Sequence, residues 1–201
     1  RRRNCGISFP GWERIVISSV TKPENRRFSN MNFAAAAKLA GYEEPTDFMC
    51  ELLCDEDGKV GIILLSMDPK DVDTIARLPW SMIISDSLYG ISDCPHPRLY
   101  GSFPKVLRDF VRERGVLTLP QAIHKMTAMP AARLGLTDRG ILAPGRKADI
   151  AVFDPAVITD HATYDNPKQL CTGLHATLIN GKAAIEKDSL CRRDCGVTIR
   201  K

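Results

Sequence analysis

The sequence predicts an α/β fold that closes on a small antiparallel sheet. Two nearly continuous apolar runs of strand length, over 59–67 and 80–86, flank a helix-patterned crossover. Such runs suit strands covered on both faces, and a crossover of about a dozen residues is what joins parallel strands in a βαβ unit. From about Gly140 the pattern changes to short β runs interrupted by turn residues, Asn180-Gly181 among them. An Asn-Gly pair between two such runs is the strongest short-range signal for a type I′ hairpin.

The elements follow in order. "WERIVISSV" over 12–20 alternates and is rich in β-branched residues, which predicts a strand, and "TKPENRR" after it is a loop. The alanine-rich "NFAAAAKLA" over 32–40 predicts a helix that stops at Gly41. A second helix is expected in "EPTDFMCELLCDEDG", with Thr46 or Asp47 as N-cap, Phe48, Met49, Leu52 and Leu53 on its apolar face, and an end at Gly58.

The strand "KVGIILLSM" leads to "DPKDVDTIARLP", where Asp68 caps, Pro69 takes the first helical position, and Val72, Ile75, Ala76 and Leu78 share one face. "WSMIISD" repeats the buried-strand pattern and completes strand, helix, strand. The stretch rich in Gly, Pro, Asp and Ser that follows, "SLYGISDCPHPRLYGSFP", reads as a long loop. Helices are expected in "KVLRDFVRERG" and in "TLPQAIHKMTAMPAARLG", with Pro120 near the start of the latter. Beyond a boundary near 134–142, a turn at Pro144-Gly145, a strand over 148–153 and the hairpin around Asn180-Gly181 form the closing sheet.

Composition narrows the function classes. The 201 residues are 44% hydrophobic and 26% charged, within the range of globular proteins. The net charge of +4 is small, and its basic clusters lie at Arg1 to Arg3 and in "CRRDC" over 191–195, so nucleic acid is not expected as a partner. No apolar run approaches membrane-spanning length and no signal peptide is visible, so no membrane partner and a cytoplasmic location are expected.

The seven cysteines are scattered without a CxxC pair, which favours reduced thiols. Cys50 with Cys54, and Cys191 with Cys195, are spaced to reach one metal each. Zinc sites of this kind need four ligands at recognisable spacing, and no such set is evident. The chain starts at Arg1 without methionine and is expected to be part of a longer protein.

Asp86 stands where the second apolar run stops. Reacting groups in parallel α/β folds collect at the C-terminal ends of strands, and long loops after them carry specificity. Capping of the following turn is the plainer role for an aspartate there.

Over about 11–181, in order and almost without gaps, the chain resembles the C-terminal half of N-acyl-D-amino-acid deacylases (D-aminoacylases) of the amidohydrolase superfamily. The segments that carry the resemblance are "WERIVISSV" with "ENRR", "SMDPKDVDTIARLPWSMIISDS", "HPRLYGSFPKVLRDFVRERGVLTLPQAIHKMTAMPAARLGLTDRGILAPGRKADIAVFDP" and "LINGK". The resemblance implies a partial (β/α)8 TIM barrel, its last two strands with their helices, over 1–138. It implies the C-terminal strands of a small β-sandwich over 139–201.

The resemblance also implies a metal centre, usually zinc, and hydrolysis of the amide of a small-molecule N-acyl-D-amino acid. Asp86 matches the family's general acid/base, which takes a proton from metal-bound water and returns it to the leaving amine, and it is also a candidate metal ligand. The family's HxH pair and its middle-strand ligands have no counterpart here. The isolated chain is therefore expected to be inactive.

Further candidates are weighed beside it. His96, between two prolines, is placed near the substrate by the resemblance, and a rigid loop explains it equally. The guanidinium of Arg98 is shaped to hold a substrate carboxylate, or it makes an ordinary ion pair. Met67 lines an acyl pocket or the core, and Ser85 orients the loop at Asp86 or is a satisfied hydroxyl. His124, His161 and His175 receive no role, Cys94 is taken as a free thiol, and the charged run "RDFVRERG" is taken as a solvated helix face. Two other functions are set beside the deacylase: a non-catalytic binding module or truncated paralogue, and a cyclic amidohydrolase resembling dihydropyrimidinases.

Overall fold

The computed structural model describes residues 11–87 and 94–199, and these form two compact units. The basic cluster at Arg1 to Arg3, Cys5 and the middle of the loop at 88–93 lie outside the described residues.

The first unit holds 11–68 together with 94–96 and 164–167. A short 3-10 turn over Trp12–Arg14 leads into strand β1, Ile15–Ser19. Helix α1, Phe33–Ala40, begins where the Asn32 side chain accepts the Ala35 N–H at 2.8 Å. It stops at Gly41, whose φ of +87° is the left-handed conformation that ends helices. Helix α2, Pro45–Asp55, starts two or three residues earlier than an N-cap at Thr46 or Asp47 would set it. Glu44 is its N-cap and Pro45 takes the first helical position, where the missing N–H costs nothing.

Strand β2, Gly61–Leu64, pairs with β1, antiparallel. The core between the pair and the helices holds Ile17, Phe28, Phe33, Phe48 and Leu52, each 3% exposed or less. Phe28 meets Phe48 edge to face at 4.9 Å between ring centres. Burying each such side chain is worth about 1.5–3 kcal/mol.

The second unit holds 69–87, 97–163 and 168–199. Helix α3, Pro69–Arg77, is followed by an extended stretch over 81–87 that joins no ladder among the described residues. The expected parallel βαβ unit is therefore not formed here. The apolar pattern suits a strand covered on both faces, but exposure alternates from Ser81 to Ser87 and Ile84 is 66% exposed, so the extended chain is covered on one face only among the described residues. Strand pairing requires a neighbour that the pattern does not name, and β2 finds its neighbour in β1.

The long loop is also shorter than expected, because helix α4, Arg98–Lys105, takes up its second half. Pro104 near its end removes a backbone donor, and the chain continues into a π-helical stretch over Val106–Glu113. The arginines of that stretch do not form a merely solvated face. Arg108 Nε donates to Asp160 at 2.6 Å, and Arg112 Nη1 donates to the Ile158 carbonyl at 2.7 Å. Arg114 pairs with Asp73 and Asp109.

The single helix expected over 118–135 is two. Helix α5, Leu119–Met126, opens with a reciprocal capping box between Thr118 and Gln121. Helix α6, Ala128–Arg133, follows a break at Thr127, because Pro130 has no N–H to give the Met126 carbonyl. Ala76, Val106, Val116, Leu117 and Ala122 form the core of these helices.

A four-stranded antiparallel sheet follows: β3, Ile150–Phe153; β4, Leu174–Ile179; β5, Lys182–Glu186; and β6, Ser189–Leu190. The turn between β4 and β5 is the expected one, with φ of +50° at Asn180 and +77° at Gly181. A second tight turn at Lys187-Asp188, with φ of +49° and +60°, joins β5 to β6 and is marked by no glycine. Gly181→Ala is expected to destabilise the chain by about 1–2 kcal/mol, because an added Cβ disfavours the left-handed backbone. The nearest side-chain atom is 3.9 Å away, so no clash adds to the cost. Urea unfolding of the variant measures it.

Candidate active site

Asp86 is presented by the extended stretch over 81–87, and the way that stretch is held decides what the carboxylate can do. Ile83 turns inward against the core of Ala76 and Val106, whereas Ile84 is 66% exposed. At Asp86 the backbone turns to φ +46°, a conformation that side chains rarely adopt and that aspartate tolerates better than most. Residues held in sparsely populated conformations gather at functional sites, where surrounding structure over-determines them.

Four contacts hold the turn and the start of α4 beside it. Asp86 Oδ2 lies 3.0 Å from Nη1 of Arg98, the first residue of α4. The Ser87 hydroxyl donates to the Ser85 carbonyl at 3.2 Å and to the Arg98 carbonyl at 3.1 Å, and the Ser102 hydroxyl donates to the Arg98 carbonyl at 2.7 Å. The side chains of Arg98 and Asp86 are 42% and 68% exposed. An ion pair in such contact with solvent adds at most about 1 kcal/mol to stability, so its effect is to orient the carboxylate.

The structure thus brings together Asp86, Arg98 and the backbone of Ser85. Met67 and His96 belong to the other unit. Met67 is 68% exposed, and the ring of His96 stands edge-on to Tyr164, 5.2 Å between centres, with the Tyr164 hydroxyl 3.3 Å from Nε2. Ser102 was not singled out from the sequence, because a serine four residues into an unrecognised helix gives no signal of its own.

Among the described residues, no group of three or more His, Cys, Asp or Glu side chains is arranged to hold a metal ion. Asp86 faces a guanidinium instead, and the described residues by themselves do not fit a metal centre. Chemically the arrangement offers a solvent-accessible carboxylate able to exchange a proton and a planar cation able to hold an anion beside it.

Residues 32–185 match the family model described as "Amidohydrolase family", and the chain belongs to that family. Within it, the chain is a homologue of the D-aminoacylases and N-acyl-D-amino-acid deacylases. It is 44% identical over 178 residues to the N-acyl-D-aspartate deacylase of Alcaligenes xylosoxydans xylosoxydans, covering 83% of this chain and 35% of that protein. It superimposes on a D-aminoacylase described as having a binuclear metal center with a TM-score of 0.81 at 36% identity, covering 91% of this chain and 37% of that one. The N-acyl-D-glutamate deacylase of Bordetella bronchiseptica, complexed with zinc and a phosphonate inhibitor, gives a TM-score of 0.78 at 37% identity, with 86% and 34% coverage.

The chain spans about a third of the length of these proteins. Its fold is accordingly a mixed α/β part of the amidohydrolase architecture, with no closed barrel among the described residues. No helix among them is long and apolar enough to cross a membrane.

Proposed function

We propose that this chain is the C-terminal part of a hydrolase that cleaves the amide bond of N-acyl-D-amino acids, with Asp86 as the group that takes and returns the proton. The observation that carries the reading is the junction at Asp86: an extended, half-buried stretch ends in a left-handed aspartate held against Arg98, inside a region matching deacylases over most of its length. Amide hydrolysis needs an acceptor for the proton of the attacking water and a donor for the departing amine. One carboxylate that is ionised before attack and protonated after it performs both tasks. Arg98 supplies a forked cation for the carboxylate that every N-acyl-amino acid carries.

Zinc is proposed as the cofactor of a protein of the relatives' length, with Asp86 as one candidate ligand and the others supplied by residues outside those described.

The test is hydrolysis of N-acetyl-D-aspartate, N-acetyl-D-glutamate and their L-enantiomers by a protein of the relatives' length that contains this chain. Release of free D-amino acid, with the L-compounds left intact, is expected. The isolated 201-residue chain is expected to release none. Ring opening of a dihydropyrimidine without turnover of any N-acyl-D-amino acid would replace this assignment with a cyclic amidohydrolase.

A further inference from the structure

We propose that Lys125 is a positioning residue for Asp86, a role that rests on the reading of Asp86 as the proton-transfer group. Lys125 lies at the end of α5 and is only 5% exposed. A charge removed from water is normally matched by an opposite charge, since an ammonium loses strong hydration on burial. Here none of its acceptors is a carboxylate. Nζ donates to the Leu78 carbonyl, to the Ser81 carbonyl at 2.9 Å and to the Ser81 hydroxyl oxygen at 2.9 Å.

An ammonium has three protons to donate, and these oxygens account for all of them. Their location gives the arrangement its purpose. Leu78 follows the last residue of α3, where carbonyls have no partner inside the helix and form the negative end of its dipole. Ser81 opens the extended stretch, and its hydroxyl also donates to the Leu78 carbonyl at 2.9 Å. The main chain adds another tie, because the Lys125 carbonyl accepts the Ile83 N–H at 3.1 Å.

One residue therefore holds positions 78, 81 and 83, and Asp86 follows three residues later. At about 3.3 Å per extended residue, the carboxylate stands about 10 Å from the last of these ties. A small rotation at the anchor is carried along the stretch to the carboxylate. A water-exposed lysine would satisfy the end of α3 equally well, so a buried ammonium is better explained by the fixed exit of the stretch than by helix capping.

The test uses the protein of the relatives' length with N-acetyl-D-glutamate as substrate. Lys125→Met is expected to lower kcat by about 10-fold or more, since misplacement of a reacting group by an ångström costs up to about 100-fold. KM is expected to stay within about twofold, because no substrate contact is removed. Lys125→Arg, which keeps the charge and several donors, is expected to recover most of kcat. Hydrogen exchange of residues 82–87 is expected to quicken in Lys125→Met.

Wild-type kcat in Lys125→Met, in a protein that Asp86→Asn inactivates, overturns the positioning role alone. Wild-type kcat in Asp86→Asn overturns the reading of Asp86 and the positioning role with it. Should Lys125→Met fail to fold, Ser81→Ala removes one acceptor, and a loss of about threefold in kcat at unchanged KM is expected. An unchanged kcat in Ser81→Ala then overturns the proposal.

Discussion

Asp86→Asn is expected to lower turnover of N-acyl-D-amino acids by a factor of about 10² to 10⁴ in the protein of the relatives' length, the range that positioned proton transfer contributes. The amide of asparagine has nearly the size of the carboxylate and tolerates the left-handed backbone at φ +46°, so the turn should survive. Binding of substrate should survive as well, because the proposed anion holder is Arg98. The expected pattern is a fall in kcat with KM little changed, which marks an interaction needed in the transition state rather than in the ground state. Steady-state kinetics on N-acetyl-D-aspartate and N-acetyl-D-glutamate measure it.

Glu56→Gln is expected to have the largest effect on stability, about 2–4 kcal/mol, read by urea unfolding of the 201-residue chain. Glu56 is 1% exposed and sits immediately after α2. Its carboxylate accepts the Thr21 N–H at 2.6 Å, the Thr21 hydroxyl at 2.5 Å, the Lys22 N–H at 3.1 Å and the Asn25 side-chain amide at 2.7 Å. A carboxylate is acceptor on both oxygens and suits four donors, whereas glutamine turns an NH₂ group toward some of them.

Burial by itself pushes the Glu56 carboxyl upward. The hydrogen bonds from Thr21, Asn25 and the Lys22 backbone outweigh it and hold the group down at about 2, against an ordinary value of 4.5. With the folded value the lower, the contribution is complete above about pH 4.5 and is lost as pH falls through about 2. Unfolding followed from about pH 5 down to about pH 2 should show the unchanged chain losing its advantage over Glu56→Gln.

Local signals carried much of this architecture and contacts distant in sequence carried the rest. Asn32 and Gly41 bracket α1 because a cap and a left-handed stop act within one turn of the helix. Asn180-Gly181 fixes its hairpin through backbone angles alone. The apolar run at β2 announces an extended chain, but its antiparallel partner β1 lies more than forty residues earlier and follows from no periodicity.

The proline-rich segment before α4 reads as a loop, since Pro97 and Pro104 are loop residues in most settings, yet the first caps the helix and the second falls in its last turn. At the candidate site, the address of Asp86 was legible as an acid closing an apolar run. Its left-handed turn and its bond to Arg98 were not. Glu56 and Lys125 were invisible for one reason: a charged residue on an amphipathic helix is ordinarily solvated. Their burial depends on donors and acceptors more than thirty residues away in sequence.

Restoring activity to an Asp86→Ala variant with a small carboxylate shows whether the carboxylate at position 86 carries the proton. The native side chain is 68% exposed in this chain, so formate has access to the space that truncation leaves. The variant is expected to be inactive alone, and hydrolysis of N-acetyl-D-glutamate is expected to return in proportion to added formate. Turnover as fast as the unchanged protein without formate, or a slow variant indifferent to it, would show that Asp86 does not carry the proton.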